Sequence, residues 1–97
     1  MSPEKVDELI DFIAINPKAG VVIPGTGGIR KLRWRRAGTG KRGGMRVIYF
    51  YYDGSMPVLM FLAYAKGASE DITSQQRKRL TAVAREYVAG YRKRGQR

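Results

Sequence analysis

Lysine and arginine carry most of the chemistry open to this sequence. It contains neither histidine nor cysteine, which excludes a Ser-His-Asp triad, a thiol nucleophile, a zinc ribbon and a disulfide framework. Any catalysis must draw on Lys, Arg, carboxylates, Tyr, Ser or the backbone. The carboxylates offer little. Glu70 and Asp71 read as charges favouring the start of the last helix, and no acidic pair has a spacing suited to metal binding or acid/base work. The cations are different. Arg30, Lys31, Arg33, Arg35, Arg36, Lys41, Arg42 and Arg46 fall in one stretch, and no Asp or Glu occurs from Ile29 to Tyr52. Such an array repels itself and costs stability unless an anion is expected. Glycines in the adjoining loop let backbone N–H groups approach a phosphate. Arg30, Arg35, Arg36, Lys41 and Arg42 are therefore candidate contacts to a polyanion such as a nucleic acid. Arg46, at the start of a strand, is a candidate bidentate phosphate clamp beside Lys31 and Arg33. Lys66 sits at the exit of an apolar strand, where a charge would emerge at the sheet edge.

The whole-chain balance agrees. Nineteen Lys and Arg against eight Asp and Glu give a net charge of +11, which points to a polyanionic partner. Two other patterns carry less. Gly38–Gly43 matches G-x-G-x-x-G, but a strand follows where a dinucleotide site needs a helix, and no Ser or Thr completes a P-loop after Lys41. Tyr49, Phe50, Tyr51 and Tyr52 could stack on bases, yet their alternation sends half of them to the core.

These side chains need elements to hold them. Ser2-Pro3 opens a helix, with Ser as N-cap. Val6, Leu9, Ile10 and Ile13 give it one apolar face, and Asn16-Pro17 stops it. Val21 to Ile23 is a short extended piece. Pro24 to Gly28 is a loop with unusual backbone angles. Ile29 to Arg35 alternates, with Leu32 and Trp34 on one side and Lys31, Arg33 and Arg35 on the other. Met45 to Tyr52 is a second strand, with Arg46, Ile48, Phe50 and Tyr52 sharing a face. Asp53-Gly54 signals a turn. The apolar run Val58 to Ala65 suits a central strand covered on both sides. Thr73 and Gln76 fit a capping box for a helix reaching about Gly90, with a basic tail from about Tyr91 that frays. One α+β domain spanning residues 1–97 is expected, with helices on a three- to four-stranded antiparallel sheet.

Three blocks then carry a likeness. Asn16 to Gly20, Ile23 to Trp34 ("IPGTGGIRKLRW") and Gly40 to Phe50 ("GKRGGMRVIYF") resemble toxins of the RelE/HigB group of bacterial type II toxin–antitoxin modules, the HigB-like branch in particular. The resemblance runs roughly from Val6 to Tyr87. It implies a RelE-like small domain acting as a ribosome-dependent mRNA endoribonuclease. Such a toxin cuts mRNA at the ribosomal A site and inhibits translation, through attack of the ribose 2′-oxygen on the adjacent phosphate to leave a 2′,3′-cyclic phosphate, with no metal or other cofactor. Carried over by position, Lys31 and Arg33 position substrate and transfer protons, Arg46 clamps the transition state, and Lys66 contacts phosphate. Lys41 and Arg42 hold ribosomal RNA or message. A fold without histidine can run this reaction when cations stabilise the phosphorane, and a lysine among cations has its charged form disfavoured.

The implied partners are mRNA, the ribosome and a cognate antitoxin of the HigA-like helix-turn-helix group. Two departures stand out. Some members use a C-terminal tyrosine, but the matching stretch Ile72 to Gln76 has none, and Tyr87 and Tyr91 read as core. Members also usually carry an extra N-terminal strand, whose absence would leave an unpaired sheet edge. The alternatives are a ParE-like gyrase inhibitor, which would not need the Lys31, Arg33 and Arg46 set, and a non-catalytic RNA- or ribosome-binding protein. The longest apolar run, Pro57 to Ala65, is far short of the ~20 residues of a membrane helix, and no signal peptide is apparent, so the cytoplasm is the expected location.

Overall fold

The computed structural model describes residues 3–34, 45–65 and 72–95. The elements run α1 (Pro3–Ile15), β1 (Val21–Val22), β2 (Ile29–Trp34), β3 (Met45–Phe50), β4 (Leu59–Ala65) and α2 (Ser74–Gly95). The strands form one antiparallel sheet in the order β1-β2-β3-β4. This is an α+β fold in which each helix takes a different face of the sheet.

α1 forms where its apolar residues recur at helical spacing. Leu9 and Ile13 are buried and join Leu32, Val47 and Tyr49 in one core cluster, with Phe12, Trp34, Tyr51 and Val58 against it. The Phe12 and Trp34 rings lie 5.1 Å apart. The helix stops as Pro17 requires. Asn16 closes it, its backbone N–H and its side-chain amide both donating to the Phe12 carbonyl, at 2.8 and 3.1 Å. The expected Ser2 cap lies outside the described residues.

The second cluster lies on the opposite face. Ile23, Ile29, Ile48, Phe50, Ile72 and Ala84 are buried there, with Leu80, Tyr87 and Val88 of α2 packed against them. Burying each large aliphatic side chain contributes about 1.5–3 kcal/mol. The capping box at the start of α2 forms as the sequence predicts. Thr73 N–H donates to Gln76 Oε1 at 2.8 Å, and Gln76 N–H donates to Thr73 Oγ1 at 3.0 Å. At the far end of the fold, the Tyr87 hydroxyl donates to the Pro57 carbonyl at 2.9 Å.

Three expectations change. β4 is an edge strand rather than a central one, because successive hairpins put the last strand outermost. Its apolar run serves the α2 core on one side and leaves Met60 38% exposed on the other. The strand buried on both faces is β3, where Val47, Ile48 and Tyr49 are all at 0%. Second, α2 passes Gly90 and continues to Gly95. Gly90 does not take the positive φ of a C-cap glycine, and the Tyr91 ring packs tilted against Tyr87 with centroids 6.1 Å apart. Third, β3 ends at Phe50 rather than Tyr52, since its partner β2 begins only at Ile29. One contact persists beyond it, Tyr51 N–H to the Gly28 carbonyl at 3.2 Å.

The β3–β4 pairing contains a bulge. Ile48 faces Leu62 and Tyr49 faces Met60, leaving Phe61 as an extra residue. No helix among the described residues is long and apolar enough to cross a membrane.

Candidate functional site

The register assigns each described cation of the strands to a face. Directly opposed residues of antiparallel strands share one face. Ile29 pairs with Phe50, Lys31 with Ile48, and Arg33 with Arg46. Across the next ladder Phe50 pairs with Leu59, Ile48 with Leu62, and Arg46 with Tyr64. The α2 face is therefore built of three successive rows. The first is Ile29, Phe50 and Leu59. The second is Lys31, Ile48 and Leu62. The third is Arg33, Arg46 and Tyr64. Polarity rises from row to row, and the last row holds two arginines side by side. Rows are about 7 Å apart, two residues of strand rise.

Arg33 is exposed, while Lys31 and Arg46 are half-buried. Like charges directly opposite on a sheet are destabilising. An anion placed between Arg33 and Arg46 would be attracted by both. Two guanidiniums there can grip a phosphate with paired N–H donors, and Lys31 stands one row away as a third charge. The strand pairing brings Lys31, Arg33 and Arg46 together as the sequence predicts.

Arg30 goes elsewhere. It lies on the α1 face, where its Nη1 donates to the Gly20 carbonyl at 2.7 Å and to the Lys18 carbonyl at 3.3 Å. Beside it, the buried Tyr49 hydroxyl donates to the Pro17 carbonyl at 2.7 Å and accepts the Gly20 N–H at 2.9 Å. Gly20 is needed for closeness: a Cβ there would come within 2.9 Å of the Tyr49 oxygen and 3.1 Å of Arg30 Cβ. Burial pushes the Tyr49 hydroxyl above its ordinary 10.0, against smaller downward pulls from the Gly20 N–H and the Arg30 charge. Arg30 and Tyr49 thus clasp the segment that leaves α1. This also decides the aromatics. Tyr49 and Phe50 are core, Tyr51 is half-buried, and Tyr52, at 40% exposed, is the open ring of the four.

The β1–β2 turn fixes where the cationic strand starts. Thr26 is buried, and its hydroxyl donates to the Ile23 carbonyl at 2.6 Å while accepting the Ile29 N–H at 3.1 Å. Gly28 has φ +135°, and a Cβ on it would meet the Tyr51 carbonyl at 2.8 Å. Only glycine suits that position.

Arg35, Arg36, Lys41, Arg42 and Lys66 lie outside the described residues, as do the Gly38–Gly43 motif and the Glu70-Asp71 pair. Among the described residues, no group of three Asp or Glu gathers where a metal ion could be held. Tyr64 is the member of the third row that the sequence does not advertise. It sits inside an apolar run, and the bulge at Phe61 breaks the two-residue period that would otherwise have assigned its face.

In comparison with known families, residues 22–95 match the sequence model described as the RelE toxin of the RelE / RelB toxin-antitoxin system.

Proposed function

The chain belongs to the RelE toxin family, the toxin component of toxin–antitoxin systems, which has an antitoxin as its partner, and from that premise we propose that it is a ribosome-dependent mRNA endoribonuclease cutting at the A-site codon. The observation that carries this reading is the Arg33–Arg46 cross-strand pair with Lys31 in the adjoining row. Its electrostatics favour a dianionic pentacoordinate phosphate over a singly charged phosphodiester, and that preference is the basis of catalysis.

In the reaction proposed, the 2′-hydroxyl of the upstream ribose attacks the adjacent phosphorus. The O2′–P bond forms and the P–O5′ bond breaks. The products are a 2′,3′-cyclic phosphate and a 5′-hydroxyl, with no metal taking part. One proton must leave O2′ and one must reach O5′. A guanidinium stays charged in proteins, so proton transfer falls to Lys31. Arg33 orients the phosphate, and Arg46 clamps the equatorial oxygens as charge builds. Lys66 adds a phosphate contact. Arg35, Arg36, Lys41 and Arg42 hold ribosomal RNA or the message through the sequence-independent attraction that basic surfaces exert on phosphates.

An acidic segment of the antitoxin would neutralise this face by lying across the third row. A HigA-like helix-turn-helix antitoxin fits a toxin of the HigB-like branch. The action takes place in the cytoplasm, where ribosomes are.

Primer extension on a message in a reconstituted translation reaction tests the reading. Purified, folded toxin should stop the primer within the A-site codon only when ribosomes are present. Arg46→Ala should lower the cleavage rate by about a hundredfold or more with an unchanged melting temperature. An intact message in the presence of folded wild-type toxin would refute the nuclease function.

A further inference from the structure

We propose that the cavity between α2 and the β1–β2 turn anchors an acidic segment of the antitoxin, with one large apolar side chain of that segment filling the cavity and its carboxylates pairing with Arg85 and Arg92. The inference rests on the antitoxin partner that membership of the family implies, and not on the nuclease reading.

The cavity measures about 400 Å³. Its sheet side is aromatic, Phe50 and Tyr52, with ring centroids 6.4 Å apart. Its helix side is made of Ala84, Val88 and Ala89, whose short side chains leave the depth. Thr26 of the turn also lines it, but its hydroxyl is already used between the Ile23 carbonyl and the Ile29 N–H. Apart from the arginines, the Tyr52 hydroxyl is the one remaining polar side-chain group in the lining. A nucleobase buried here would strand most of its edge groups, at a cost in desolvation. A leucine or phenylalanine side chain would strand none and would gain by leaving water.

The arginines set the charge of the occupant. Arg85, Val88, Ala89 and Arg92 are spaced i, i+3, i+4, i+7 and share one face of α2. Two guanidiniums therefore bracket an apolar middle, their Cα atoms about 10.5 Å apart. Both are exposed, and neither forms an ion pair among the described residues. The one acid of α2, Glu86, points about 100° away from Arg85 around the helix. Asp53 is occupied by Ser55, whose hydroxyl and N–H donate to it and do most to lower its ionisation, with Arg92 adding a smaller pull. A second copy of the chain would set +11 against +11, whereas an acidic segment is drawn to the pair. The cavity adjoins Phe50 of the first row, about 14 Å of sheet from Arg33 and Arg46. Roughly four extended residues span that distance, so one antitoxin chain can be anchored here and still cross the third row.

The probe is a labelled helical peptide with a leucine between two glutamates seven residues apart, titrated on the full chain by fluorescence anisotropy. It should bind wild type. Alanine for its leucine should weaken binding about ten- to hundredfold, and glutamine for its glutamates about tenfold. Arg85→Glu and Arg92→Glu should each weaken it about tenfold or more. Ala89→Trp, which fills the cavity from an exposed helix position, should do the same at an unchanged melting temperature. Arg33→Gln should keep the affinity within about twofold, as should Ala89→Trp towards a single-stranded RNA of equal length. A probe that fails to bind, or that binds Ala89→Trp and the two glutamate variants as it binds wild type, overturns the inference. So does an equal loss at Arg33→Gln, which would put the peptide on the third row. An RNA that loses affinity for Ala89→Trp as the peptide does also overturns it, for the groove would then be an RNA site. None of these outcomes touches the nuclease reading, which stands or falls by primer extension.

Discussion

Arg30 and Lys31 are neighbours in β2, yet they belong to different regions of the molecule. On the α1 face most polar atoms are used internally, the buried Arg30 Nε being left without a hydrogen-bond partner. Tyr49 oxygen makes two hydrogen bonds, and Arg30 holds two backbone carbonyls. On the far end of the α2 face, Arg33 stands against Arg46 and the Tyr64 oxygen has no partner. The same strands thus build one set of polar groups that holds backbone segments together and another that gathers cations in one row. The difference lies in surroundings rather than residue type, since arginine and tyrosine occur on both faces. A polar side chain satisfied within the chain serves stability, and a cation held beside another cation on rigid strands is arranged for an anion.

Substitutions can break or sharpen this contrast. After Arg46, the largest effect is expected at Arg33. Arg33→Gln should lower A-site cleavage by about a hundredfold and leave the melting temperature equal or slightly raised, because a like-charge pair has been relieved. A large loss of stability instead would place Arg33 in the structural set. Arg30→Met should behave in the opposite way. It should cost about 1.5–3 kcal/mol in denaturant unfolding, the worth of hydrogen bonds from a charged donor. The protein that remains folded should cleave at the wild-type rate. Slower cleavage per folded molecule would move Arg30 to the RNA-contacting set that the sequence proposes for it. Tyr49→Phe should be milder, about 1–2 kcal/mol, since it strands the Gly20 N–H and the Pro17 carbonyl. It should also change the alkaline limb of stability. The raised Tyr49 ionisation means that its stabilisation is present below the ordinary tyrosine value of 10.0 and is lost as pH rises through the folded one. The phenylalanine variant should therefore lose part of the decline above pH 10 that wild type shows in pH-resolved melting.

Much of this arrangement is legible in the sequence. The alternation of Lys31 and Arg33 with Leu32 and Trp34 gives the cationic side of β2, and the period of β3 puts Arg46 on the Ile48 and Phe50 face. The Thr73–Gln76 capping box needs only local spacing. What the sequence hides is whatever depends on distant partners. Arg30 looks like one more cation until its carbonyls at Lys18 and Gly20 come into place. Tyr49 looks like a stacking ring until Gly20 meets its hydroxyl. The run Val58 to Ala65 reads as a central strand because hydrophobicity reports burial and not strand order. Gly90 reads as a stop because glycine is common at helix ends, but a stop also needs a chain that turns away, and the one here goes on as helix.

The extra residue in β4 has a consequence of its own. Met60 and Tyr49 face each other, and so do Leu62 and Ile48, so Phe61 acts as a change of parity. Counted without it, Ala63 would stand opposite Arg46 and Tyr64 would turn to the α1 face. Tyr64 stands in the arginine row because the chain counts one more residue than the ladder does. In this strand a single insertion or deletion is thus a larger event than most substitutions, for it would exchange every side chain beyond it between the α1 face and the α2 face of the sheet.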